Sequence, residues 1–217
     1  MKKSSKDIIS VQYGCGLSAP KEWINFDSSP TLRIQRLPVI GRLLRRYLNV
    51  SFPDNVFWGD IVKGLPIENN TCDGVYCSHV LEHLSLSDFR KAIKNTFLIM
   101  KKGATFRCIV PDLEYAARKY IDGIENNNHS ASIEFLGRNT ILGIEKRPRG
   151  LKGILKLFFS NSRHLWMWDS LSLENELLKA GFRDIRRCKF NDSDDEKFFA
   201  VEDISRFENA IAIDCKK

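Results

Sequence analysis

Residues 11 to 27 read "VQYGCGLSAPKEWINFD". The apolar, β-prone run that leads into it, "DIISVQYG" from 7 to 14, is stopped by "GCG", the pattern of a strand entering a tight turn. "EWINFD", 22 to 27, alternates Trp23, Asn25 and Asp27 with Ile24 and Phe26, which predicts a second strand. The link between the two is too short for a full crossover helix. Strand, glycine turn, strand is therefore the opening of the fold.

The rest of the chain extends that opening. "NVFWGDI" (55 to 61) predicts a third strand ending at Asp60, and "CDGVYCSHV" (72 to 80) a fourth. "SDFRKAIKNTFLIM" (87 to 100) has helical spacing, with Ser87 or Asp88 as N-cap and "KKG" closing it. "ATFRCIVPD" (104 to 112) predicts a fifth strand, followed by the helix "LEYAARKYIDGI". Periodicity fails from about 126 to 165, where a basic insert sits within what reads as a single domain over 1–217. "SLSLENELLKAGF" (170 to 182) is a capped helix stopped by Gly181, and "DIRRCKF" and "NAIAIDCKK" are two last strands joined by an acidic loop. Strands alternating with helices give an α/β fold, doubly wound and Rossmann-like, with helices on both faces of a mainly parallel sheet. The last two strands, with no helix between them, add an antiparallel edge pair.

Composition narrows the classes. No apolar run reaches the roughly 18 residues of a membrane span. The charged start "MKKSSKDIIS" lacks an apolar signal core, so a cytoplasmic location is expected. Six cysteines without a C-x-x-C pair fit reduced thiols rather than a disulfide framework. The net charge of +7 is concentrated: 31–50 carries +5 and 138–163 carries +6, leaving the remainder at −4. Within the first segment, "LPVIGRLLRRYL" predicts a basic amphipathic helix, with Arg42, Arg45 and Arg46 opposite its apolar face. Such local basicity suits an anionic acceptor or peripheral contact with a membrane face. Nucleic acid is disfavoured, because no recognised module or aromatic-interleaved basic pattern is present.

Taken in order, "VQYGCG", "EWINFD", "GDI", "LPIENNTCDGVYCSHVLEHL", "MKKGATFRCIVPD" and "LLKAGF" resemble the class I S-adenosylmethionine-dependent methyltransferases, notably a small bacterial subgroup opening "LNLGCG…GWINVD". The resemblance implies S-adenosyl-L-methionine as cofactor. It implies that Tyr13, Gly14, Cys15 and Gly16 lie against its methionine part, where glycines without Cβ allow close approach. Asp27 would receive the ribose hydroxyls, Asp60 the adenine amino group, and Ile61 would supply an apolar wall. Ser78 and His79, at the fourth strand end, would face the sulfonium. A nicotinamide-dependent dehydrogenase would want G-x-G-x-x-G opening a helix, and "GCGLSAPKEW" does not supply it.

Methyl transfer to a hydroxyl or amine needs alignment and removal of a proton. His79 is the first candidate base and His164, in "SRHLWMWD", the second, with Trp166 and Trp168 as a stacking wall. The acceptor expected is a small or glycan-linked molecule; a non-catalytic module binding an anionic partner or membrane surface is the rival. His79, Glu82 and His83 also spell H-x-x-E-H, a zinc-hydrolase signature. Because His79 follows directly on strand residues, the two histidines need not share a face, and no metal is expected.

Overall fold

The computed structural model describes residues 8–38, 50–146, 150 and 163–217. Among these, seven strands form one sheet: β1 (Ser10–Tyr13), β2 (Ile24–Asp27), β3 (Val56–Trp58), β4 (Cys72–Ser78), β5 (Met100–Pro111), β6 (Arg183–Arg187) and β7 (Ala210–Lys216). Their order is β3-β2-β1-β4-β5-β7-β6. All neighbours from β3 to β5 run parallel, and β7 runs antiparallel to both β5 and β6. The expected α/β sheet with an antiparallel pair at one edge is present. Every residue of β1 is buried, as parallel strands covered on both faces require.

Among the described residues the α-helices are α1 (Pro30–Gln35), α2 (Leu86–Ile99), α3 (Leu113–Glu125), α4 (Ala131–Glu134) and α5 (Ser170–Lys179). Phe89, Ala92, Ile93, Thr96 and Ile99 form the buried stripe of α2. With Leu173 and Leu177 of α5, its apolar members join the main core against Val75, Cys77, Phe106 and Val110. The alternate side chains, Tyr76 and Ile109, belong to a second cluster with Trp23, Phe198 and Val201. The short β1–β2 link carries no helix. Trp23 stacks edge-on to Phe198 at 5.3 Å, and its Nε1 donates to the Lys197 carbonyl. The link itself is held by buried amides: Gln12 donates to Asn25 (2.5 Å) and to the Ser18 carbonyl, while Asn25 donates to the Pro20 and Trp23 carbonyls.

Two local expectations need correction. The cap of α2 is Ser85, two residues before the expected Ser87: its hydroxyl accepts from the Asp88 amide and donates to the Asp88 carboxylate. "KKG" lies inside β5 rather than ending α2. Met100 is already extended and pairs with Cys72, and the Gly103 amide donates to the Lys217 carbonyl. Gly103, at φ +81°, serves a break in strand register where a helix stop was expected. Residues 39–48 of the basic helix expected over 37–48 lie outside the described residues, as do the insert's Arg147, Arg149 and Lys152. Within 126–165, α4 and the wide turn Phe135–Asn139 are helical. All six cysteines are free thiols; burial pushes Cys72 up to about 11. No helix among the described residues is long and apolar enough to cross a membrane.

Candidate functional site

Strand order reverses at β1, whose neighbours β2 and β4 lead to opposite halves of the sheet. Ligands of open α/β sheets settle at the carboxyl ends of strands at such a switch. Here those ends are Tyr13–Gly14, Asp27 and Ser78–His79. Gly14 has φ +66°, and a Cβ on it would lie 2.1 Å from Cγ2 of Val80. Only glycine fits both the backbone and the space. The loop then folds onto β2: the Cys15 amide donates to the Phe26 carbonyl, and the Gly16 amide to Oδ2 of Asp27 at 3.0 Å. The Ser29 amide donates to Oδ1 of Asp27 at 2.7 Å. Each oxygen of Asp27 retains a lone pair for a further donor.

A cavity of about 750 Å³ opens beside these groups, lined by Gly14, Asp27, Trp58, Asp60, Val62, Val80 and His83 among others. Asp60 accepts from the Val62 amide at 3.0 Å and faces Lys63 Nζ at 3.5 Å. Ile61, expected to line this space, is 5% exposed and packs in the main core; Val62 lines the cavity in its place. A second cavity of about 570 Å³ shares Gly14 and His79 with the first and is walled by Gln12, Cys15, Gly16, Tyr76, Ser78, Asp203 and Arg206. Tyr13 borders it, while the Tyr13 hydroxyl is held in the core by Thr96 at 3.2 Å. The Tyr76 and Ser78 hydroxyls approach each other without meeting hydrogen-bond geometry, and no other described group pairs with them.

His79 stands where the cavities meet. It leaves β4 with φ +54°, a left-handed conformation that costs energy outside glycine and gathers at functional positions. Nδ1 lies 3.2 Å from Oε1 of Glu82, and Nε2 lies 2.9 Å from the Arg206 carbonyl. Burial works to lower its pKa, yet the Glu82 carboxylate and the Arg206 carbonyl outweigh burial and the net shift is upward. With acceptors at both ring nitrogens, this geometry favours the doubly protonated ring.

His164 is set one layer back. It is 7% exposed, packs edge-on to His83 at 5.1 Å, and borders neither cavity itself. Burial pushes its pKa down, so the neutral ring prevails near pH 7. The expected tryptophan wall divides: Trp168 is core, packed on Phe89 at 4.2 Å, and Trp166 is exposed. The sequence reading missed Trp58, Val62 and Val80 in one cavity, and Asp203 and Arg206 in the other. The last two come from the turn Ile204–Phe207 and its cap, between β6 and β7. Trp58 was findable, since it closes the third strand beside Asp60.

The family described as "Methyltransferase domain" matches residues 18–186. A SAM-dependent methyltransferase from Archaeoglobus fulgidus shares 17% identity over 98% of this chain and 87% of that one, with a TM-score of 0.49. Another from Thermotoga maritima shares 16% over 96% and 82%, with a TM-score of 0.48. The CurJ carbon methyltransferase shares 9% over 99% of this chain and 50% of that one, with a TM-score of 0.50, a likeness of fold. No curated protein matches the chain.

Proposed function

Because the chain belongs to the methyltransferase-domain family, we propose that it transfers a methyl group from S-adenosylmethionine, the larger cavity seating that cofactor and the smaller one a small or glycan-linked hydroxyl or amine acceptor. The residues present suit the cofactor. Asp27 keeps lone pairs for two ribose hydroxyls, Asp60 offers a carboxylate to the adenine amino group, and Trp58, 36% exposed, offers a ring face. Tyr13, Gly14, Cys15, Gly16, Ser78 and His79 then surround the end where the two cavities join. When bound, S-adenosyl-L-methionine supplies an electrophilic methyl group on a cationic sulfur.

The observation that carries the reading is the junction itself: Gly14 and His79 border both cavities. An acceptor held by Gln12, Ser78, Asp203 or Arg206 would approach the methyl from the side away from Asp27. In this reading His79 takes the acceptor's proton at Nε2, after its contact to the Arg206 carbonyl opens and the ring gives up its own Nε2 proton to solvent. His164, behind His83 and bordering neither cavity, does not reach an acceptor held there.

The test is turnover with S-adenosyl-L-methionine across a panel of sugars, sugar phosphates and small amines, followed by mass spectrometry. A methylated small product is expected, with turnover falling roughly 10²-fold or more in His79→Ala. Methylation of macromolecules alone, or unchanged turnover in His79→Ala, would overturn it.

A further inference from the structure

Glu82, His83 and His164 place one carboxylate oxygen and two imidazole nitrogens within 4.8 Å of one another. Glu82 is 0% exposed, yet neither of its carboxylate oxygens makes a hydrogen bond among the described residues; its charge meets only His79, 3.2 Å from Oε1. A carboxylate is kept in such a place when it is paired or coordinates a cation. The imidazoles are prepared in the same sense. Nδ1 of His83 lies 2.9 Å from the Arg163 carbonyl, so it carries the proton and leaves Nε2 with a lone pair. Nδ1 of His164 is buried and has no hydrogen-bond partner among the described residues. A ring N–H fixed on a backbone carbonyl, with the other nitrogen bare, is how metal-binding histidines are oriented. The two segments are also tied together, the Leu165 and Trp166 amides both donating to the Glu82 carbonyl at 2.7 and 3.1 Å.

We infer that Glu82, His83 and His164 bind one divalent first-row transition ion at the edge of the methyl-transfer cleft. Two imidazoles and one carboxylate suit Zn²⁺, Mn²⁺, Fe²⁺ or Co²⁺ better than Mg²⁺. Ligand atoms around such an ion sit about 3 to 4 Å apart, within reach of small side-chain rotations. His83 lines the larger cavity, so the trio borders the cleft. The trio differs from the one that H-x-x-E-H suggests, because His79 is replaced by a histidine more than eighty positions downstream in the chain. A second close trio, Cys188, Asp192 and Asp214, is no rival. Its carboxylates are already bound by Arg107 and Arg186.

The experiment titrates chelator-treated, dialysed full-length protein with Co²⁺, followed by visible ligand-field absorption and thermal unfolding. Saturation at one Co²⁺ per chain is expected, with displacement by Zn²⁺ and a raised Tm. Glu82→Gln and His164→Ala should each weaken binding at least about 10-fold, while His129→Ala, at an exposed residue, should not. No saturable band or Tm change in the unmodified protein at millimolar Co²⁺ overturns the site, as does equal binding in all three variants. The unmodified titration decides even if a variant fails to fold. None of these readouts depends on turnover, so they stand apart from the acceptor reading.

Discussion

Arg107 and Glu82 are both charged and both fully buried, and the protein treats them in opposite ways. Four of the five Arg107 N–H groups are used: Nε meets Glu202, Nη1 meets Asp192 and Asp214 at 3.1 and 2.9 Å, and Nη2 meets the Lys189 carbonyl. Arg186 adds a second cation on Asp192 and Asp214. Burial opposes the charge on Arg107, but Glu202 and Asp214 carry its pKa upward overall. Glu82 has no hydrogen bond to either oxygen, only the approach of His79. A buried charge with its donors spent pins the loop between β6 and β7 to the sheet. A buried carboxylate with one ion-pair partner and no hydrogen bond is a group that a further ligand can satisfy.

The contrast can be broken by substitution, and the largest effect belongs to the satisfied charge. Arg107→Met strands Glu202, Asp192 and Asp214 around an apolar side chain and should cost about 3–5 kcal/mol in chemical denaturation. A loss below about 1 kcal/mol would mean the cluster is not a structural lock. Next comes Gly14→Val, which drives a branched side chain into Val80 at a positive φ. Cofactor affinity should fall by at least 10-fold, about 1.4 kcal/mol or more, as read by calorimetry. Glu82→Gln sharpens the comparison from the other side. In metal-free protein it removes only the single ion-pair contact to His79, so the loss should be about 1–2 kcal/mol, below that of Arg107→Met. A loss as large as that of Arg107→Met would erase the distinction.

The smallest effect is expected at the partly exposed pair of Arg90 and Glu176, 2.7 Å apart. The Arg90 hydrogen bond holds Glu176 down at about 2, against 4.5 for an ordinary glutamate. Because the folded value is the lower one, the stabilisation is complete above pH 4.5 and vanishes as pH falls through 2. Glu176→Gln should therefore cost less than about 1 kcal/mol at pH 7, with the gap to the parent closing on acidification in pH-resolved thermal melts.

Much of the frame was legible because it rests on local pattern. The glycine turn after β1, the alternation in "EWINFD" and the apolar strands around 75 and 108 each carry their structure in neighbouring residues. "KKG" misled because the competing partner, the Lys217 backbone, sits at the far end of the chain. Ile61 and Trp168 misled for a related reason: an apolar side chain at a strand end looks the same whether it turns to the cleft or the core. The cavity-lining Gly14, Asp27 and His79, at or just past strand ends, were readable from position, as was Asp60, although β3 stops at Trp58 and not at Asp60 as expected. Glu82 was visible only as a letter in a motif. The rings around it are oriented by His83 meeting Arg163 across 80 residues and His79 meeting Arg206 across 127. No window of sequence contains those contacts.

The account turns on Asp27 as the anchor of the cofactor cavity, and calorimetric titration with S-adenosylhomocysteine tests it most directly. The parent protein should bind one molecule per chain, and Asp27→Ala should weaken that binding by at least about 10-fold, as expected for two lost hydrogen bonds to a charged acceptor. Equal affinity in the two proteins, with both folded, would contradict it.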